Sequence, residues 1–87
     1  MKISVWDTNV KREDGKVMYF DILVSSELKD EAKIFEYGNY YLSTKHFKTD
    51  SITSKECRFC HVESSSTEIV QQVKKNGYAI IEMENCD

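Results

Sequence analysis

A chain of 87 residues is one domain, with no length for a second. Its 40% apolar and 11% aromatic content supports a modest core and excludes wholesale disorder. The formal charge is −3, and the 15 acidic and 12 basic residues are interspersed, so no basic stripe exists to follow a phosphate backbone and nucleic acid is not expected as a partner.

The first 24 residues read as a β-hairpin. Lys2 to Arg12 is rich in β-branched residues, and from Val17 to Val24 the residues Met18, Phe20, Ile22 and Val24 share one face. Asp14–Gly15 between them is a strong turn signal. A three-residue loop, Glu13–Asp14–Gly15, sets Trp6, Thr8 and Val10 opposite Ile22, Phe20 and Met18. That is one coherent apolar face, whereas a one-residue slip would put Asp7, Asn9 and Lys11 in place of Trp6, Thr8 and Val10. The preferred register also sets Asp7 directly opposite Asp21. Asp7 interrupts the N-terminal segment before an apolar stretch of signal-peptide length can form. No apolar run approaches the roughly 18 residues that span a bilayer, so no membrane association is expected. The chain is expected to be soluble and cytoplasmic, where three cysteines do not make a disulfide framework.

A helix follows, with Ser25 or Ser26 as its cap and Glu27, Asp30 and Glu31 at its positive end. Leu28, Ala32, Phe35 and Leu42 recur at helical spacing, and Ile34, Tyr37 and Tyr41 widen the stripe. Gly38 lies inside this pattern, where a close approach to the sheet would explain it. The helix is expected to fade near Lys45. His46 to Ser54 reads as a polar connection, and Lys55 to Glu63 as the next strand. Ser65 and Glu68 fit a capping box for a shorter second helix, which buries Ile69, Val70 and Val73 and ends on Gly77. Tyr78 to Glu84 is the last strand. Its apolar residues on both sides suggest a place well inside the sheet.

The order ββαβαβ predicts an α+β fold: a four-stranded mixed sheet with two helices packed on one face. Its final βαβ unit would run right-handed and parallel if its two strands are neighbours.

The cluster Cys57–Arg58–Phe59–Cys60–His61 admits four readings. Its C-x-x-C-H spacing matches c-type haem attachment, but that chemistry follows export. Cys57, Cys60 and His61, joined by Cys86, make a Cys3His set for zinc. Against zinc, residues three apart in a strand point to opposite faces, and Cys57 and His61 would lie roughly 13 Å apart along it. A reactive dithiol is the third reading, though no helix start follows closely enough to activate a thiol. Core cysteines, which behave as small hydrophobes, are the leading one. Separately, a proton shared between Asp7 and Asp21 would suit general acid–base chemistry. The plainer reading has these acids bonded to neighbouring backbone or hydroxyl groups.

Taken together, Val5–Trp6–Asp7–Thr8, the run from Asp14 to Ile22, Glu56–Cys57–Arg58–Phe59–Cys60–His61 and the run from Gly77 to Glu84 resemble a family of small bacterial proteins classed as a domain of unknown function. The resemblance covers nearly the whole chain. It implies a compact stand-alone cytoplasmic protein and carries no established activity, substrate or cofactor. Members of that family often have histidine where this chain has Tyr19, so a site needing a ligand there does not carry over. The expectation is a protein of unknown function acting as a small binding or interaction module, with a protein partner or a second copy meeting it at a sheet edge. A structural zinc site at Cys57, Cys60, His61 and Cys86 and a small enzyme built on Asp7 and Asp21 are the alternatives.

Overall fold

The structure is a computed structural model that describes residues 1–87. β1 (Lys2–Lys11) and β2 (Val17–Ser25) pair antiparallel from Ile3↔Ser25 to Lys11↔Val17. Trp6, Thr8 and Val10 face Ile22, Phe20 and Met18, and Asp7 faces Asp21, as the hairpin pattern requires. The loop closes through Gly15, whose φ of 89° a side chain would resist and whose N–H donates to the Arg12 carbonyl.

α1 (Glu31–Ser43), β3 (Cys57–Ser64), α2 (Thr67–Asn76) and β4 (Ala79–Glu84) complete the order ββαβαβ. The class is α+β as expected, but the sheet is antiparallel throughout rather than mixed. Its strand order is β3-β1-β2-β4, so β3 and β4 are opposite edges and form no parallel βαβ unit.

The helices also divide between the two faces instead of sharing one. Ile34 and Leu42 of α1 pack on Trp6, Val10, Met18, Phe20, Ile22 and Val24. Val73 and Ile69 of α2 pack on Ile3, Val5, Leu23 and Ala79, which alternate to the other side. The reason lies in the direction α2 takes. β3 ends opposite Lys2, and β4 begins opposite Leu23, so both meet α2 at the same end of the sheet. Ten helical residues rise about 15 Å, close to the ~14 Å of three strand spacings. The helix therefore crosses the sheet from edge to edge rather than returning along it, and β4 comes back antiparallel to β3.

The helix caps differ in detail from those expected. Asp30, not Ser25 or Ser26, caps α1 by accepting from the Ala32 and Lys33 amides, while the Ser25 hydroxyl accepts from Glu27 in the turn before it. Ser66, not Ser65, caps α2 through the Ile69 amide. Gly77 ends α2 in the left-handed region at φ 91°.

β4 is an exposed edge strand, not an interior one. Its apolar residues lie on both sides because Ile80 joins the α1 core while Ile81 lies opposite Asp21 on the other face. Gly38 does sit where α1 approaches the sheet: a Cβ there would come within 2.8 Å of Ile22 Cδ1 and would also collide with Ile52. Ile52, from the connection after α1, is buried over this point.

Arg12 fastens the far end of the molecule. Its guanidinium stacks 3.7 Å above the Phe47 ring and pairs with Asp14 at 2.9 Å. It also donates to the carbonyls of Asn85 and Asp87. No helix is long and apolar enough to cross a membrane.

Candidate functional site

Because α2 crosses only one end of its face, the rest of that face stays open. Strand alternation and pairing bring Asp7, Asn9, Tyr19, Asp21, Arg58, His61 and Ile81 onto it. Tyr19 and Ile81 are exposed there despite their apolar surface. Asp7 and Asp21 stand at its centre, on the two interior strands.

Asp21 is half-buried and stands directly opposite Asp7 across the β1–β2 pairing. Burial holds its carboxyl above the ordinary aspartate range, the Asp7 charge and, more weakly, Glu63 push the same way, and His61 opposes them. A folded-state pKa above the unfolded value means that stability falls as pH rises from the ordinary aspartate value through the raised one. The penalty is then fully present at neutral pH. Asp21→Asn is therefore expected to raise the unfolding free energy at pH 7 by about 0.2–1 kcal/mol, the scale of a like-charge cross-strand pair. The gain should shrink as pH falls towards 4, measured by urea denaturation at each pH.

The cysteine cluster is split by the sheet. Cys57 is buried on the α1 side with its sulfur 3.4 Å from the Thr8 hydroxyl, and burial pushes its thiol pKa up. Cys86 is buried beyond the end of β4, its sulfur 3.4 Å from the Tyr19 carbonyl oxygen. Those two cysteines belong to opposite edges of a four-stranded sheet. Cys60 and His61 are exposed on β3. All three thiols are free, and no group of three or more His, Cys, Asp or Glu side chains is placed to hold a metal ion. The Cys3His set expected for zinc is thus not brought together, and Cys57 and Cys60 do not face each other as a dithiol.

What the structure does assemble is a shorter chain of contacts. His61 Nδ1 lies 3.1 Å from the Cys60 sulfur, and His61 Nε2 lies 2.6 Å from Glu63 Oε1. The pairing of β3 with β1 shifts register here: Val5 faces His61 while Trp6 faces Phe59, so Cys60 is an extra residue. Such a bulge re-aims a side chain that regular alternation would send elsewhere. The i, i+2 spacing of His61 and Glu63 within a strand already puts the two side chains on one face, and the structure adds the contact between them.

On the opposite face, the Tyr41 hydroxyl donates to Glu82, which also pairs with Lys45 at 2.5 Å. This contact ties the last turn of α1 and the residues just after it to β4, and burial raises the Tyr41 pKa.

These features define a small α+β protein with an antiparallel sheet, a helix on each face and one half-face left bare around two aspartates. The chain belongs to the family described as a domain of unknown function (DUF2024), whose model matches residues 1–83. It is similar over 100% of both chains to protein NE1680 from Nitrosomonas europaea, a structural genomics target solved by NMR, with 40% identity and a TM-score of 0.81. A search of curated proteins finds no match. The resemblance to an uncharacterised family is therefore borne out, and that family brings no assigned activity.

Proposed function

We propose that this protein is a cytoplasmic binding module and that the bare half-face around Asp7 and Asp21 receives a basic partner. The observation that carries this reading is that the two opposed carboxylates are not ion-paired with any lysine or arginine. Two acids held together without a cation cost stability, and a cationic side chain arriving from a partner relieves that cost. Glu84, paired with Tyr19, and Glu63, paired with Ile3, add further negative charge to the same face, against Arg58 and Lys11. Tyr19 and Ile81 offer apolar surface beside the charges, the mixture that binding patches use. Three free thiols are in keeping with a reducing compartment.

The test is a titration of isotope-labelled protein with a lysine- and arginine-rich decapeptide, followed by amide NMR. Shifts should concentrate at Asp7, Asn9, Tyr19, Asp21, Arg58, His61 and Ile81, weaken with added salt, and vanish in Asp7→Asn/Asp21→Asn. An acidic peptide that binds better, or concentration-dependent shifts confined to the β3 and β4 edges in protein alone, would overturn the reading. The second of these results would instead indicate self-association through a sheet edge.

A further inference from the structure

We propose that Cys60, His61 and Glu63 form a reactive-thiol site that undergoes exchange with small disulfides. This site is independent of the basic-partner reading, because its chemistry needs only the three side chains on β3.

The proton inventory follows from the two contacts of His61. A carboxylate only accepts, so the 2.6 Å contact to Glu63 requires the imidazole to carry its proton on Nε2. In the neutral ring Nδ1 is then a bare acceptor, and it lies 3.1 Å from the Cys60 sulfur. Glu63 is the positioning residue, and His61 is the base that takes the thiol proton. Neighbouring residues in a regular strand point to opposite faces, so this contact depends on the bulge that makes Cys60 the unpaired residue between Phe59 and His61. Cys60 is exposed, whereas Cys57 and Cys86 are buried and closed to a reagent.

In the step, the Cys60 proton passes to His61 Nδ1 as the sulfur attacks one sulfur of a disulfide R–S–S–R. A protein–S–S–R bond forms, the original S–S bond breaks, and the departing thiolate takes the proton back from the imidazolium to leave as R–SH. The disulfide supplies the oxidising equivalent, and no other reactant is needed. Arg58 is paired into this region opposite Asp7, while Asp7, Asp21 and Glu63 are acidic. The local field therefore favours a cationic disulfide over an anionic one. This preference, unlike the reactivity, draws on the acidic face.

The experiment measures adduct formation on the full chain with cystamine and with oxidised glutathione at pH 7, by intact mass and peptide mapping. One adduct is expected, at Cys60, with cystamine reacting faster than oxidised glutathione and high salt reducing the difference. His61→Gln should slow the reaction about tenfold or more at pH 7. In the alkaline range wild type and variant should converge, because hydroxide then removes a thiol proton without help. Glu63→Gln, which still accepts from Nε2, should retain more of the rate than Glu63→Ala. An unchanged unfolding midpoint in each variant separates the chemistry from a folding defect. Equal rates for wild type and His61→Gln at pH 7, or adducts on Cys57 or Cys86 ahead of Cys60, would overturn the proposal. Faster reaction with oxidised glutathione would overturn the charge preference.

Discussion

Phe20→Ala should lower the free energy of unfolding by about 3–5 kcal/mol. Phe20 is fully buried at the centre of the α1 face, its ring 4.8 Å from that of Tyr41. It sits on β2, an interior strand, so the cavity left by truncation is walled by sheet on both sides and by helix above, with little freedom to collapse. For a domain of this length, total stability is on the order of 5–15 kcal/mol, so the variant approaches the edge of folding. Phe59 is the natural comparison. It too is a sheet phenylalanine touching an aromatic neighbour, Trp6 at 5.7 Å, but it is 52% exposed. Phe59→Ala should cost under about 1 kcal/mol. Urea denaturation of both variants reads the difference directly, and similar losses would mean that the centre and the β3 edge of the α1 face are not packed as described.

Ile52→Ala should cost about 2–4 kcal/mol, although Ile52 lies outside every helix and strand. It is 4% exposed, and its amide donates to the Asn39 side chain, so the connection is pinned to α1 by both packing and a hydrogen bond. Its side chain occupies the space beside Gly38 that a Cβ would enter. This gives the prediction a second arm. Gly38→Ala alone should destabilise by crowding Ile52 and Ile22, which outweighs the better helix propensity of alanine. In the Ile52→Ala background the added methyl should instead fill vacated space and be neutral or stabilising. A double-mutant cycle measures that coupling. Additive effects would show that Gly38 and Ile52 do not share the same volume.

Much of the fold can be read from the sequence where the determinants are local. The Asp14–Gly15 turn and the alternation of Met18, Phe20, Ile22 and Val24 are enough to set the hairpin register, and that register alone places Asp7 opposite Asp21. Gly77 marks the end of α2 because few other residues accept its backbone conformation.

The errors arise where the determinant is distant. Ser25, Ser26 and Asp30 are all good capping residues, and the choice among them depends on how the chain leaves β2 to reach the far face. The direction of α2 depends on the distance between two edge strands, which periodicity does not encode. That one feature turns a mixed sheet into an antiparallel one and moves α2 to the opposite face. The apolar residues of β4 look interior because the start of the strand is covered on both sides, Ala79 by α2 and Ile80 by the α1 core, while its outer edge is unpaired. The bulge at Cys60 has no glycine to announce it, so the contact between Cys60 and His61 was out of reach of spacing rules, which assign adjacent residues to opposite faces.

A basic partner would be held by two carboxylates opposed at the centre of an uncovered sheet face. The most direct measurement is a carboxyl-carbon NMR titration of Asp21 in the wild-type chain and in Asp7→Asn. Asp21 should titrate above the ordinary aspartate value, because of its burial and the charge of Asp7, and Asp7→Asn should bring it partway back. An Asp21 that titrates at or below the ordinary value, unmoved by Asp7→Asn, would contradict the pairing and remove the basis for a basic partner on this face.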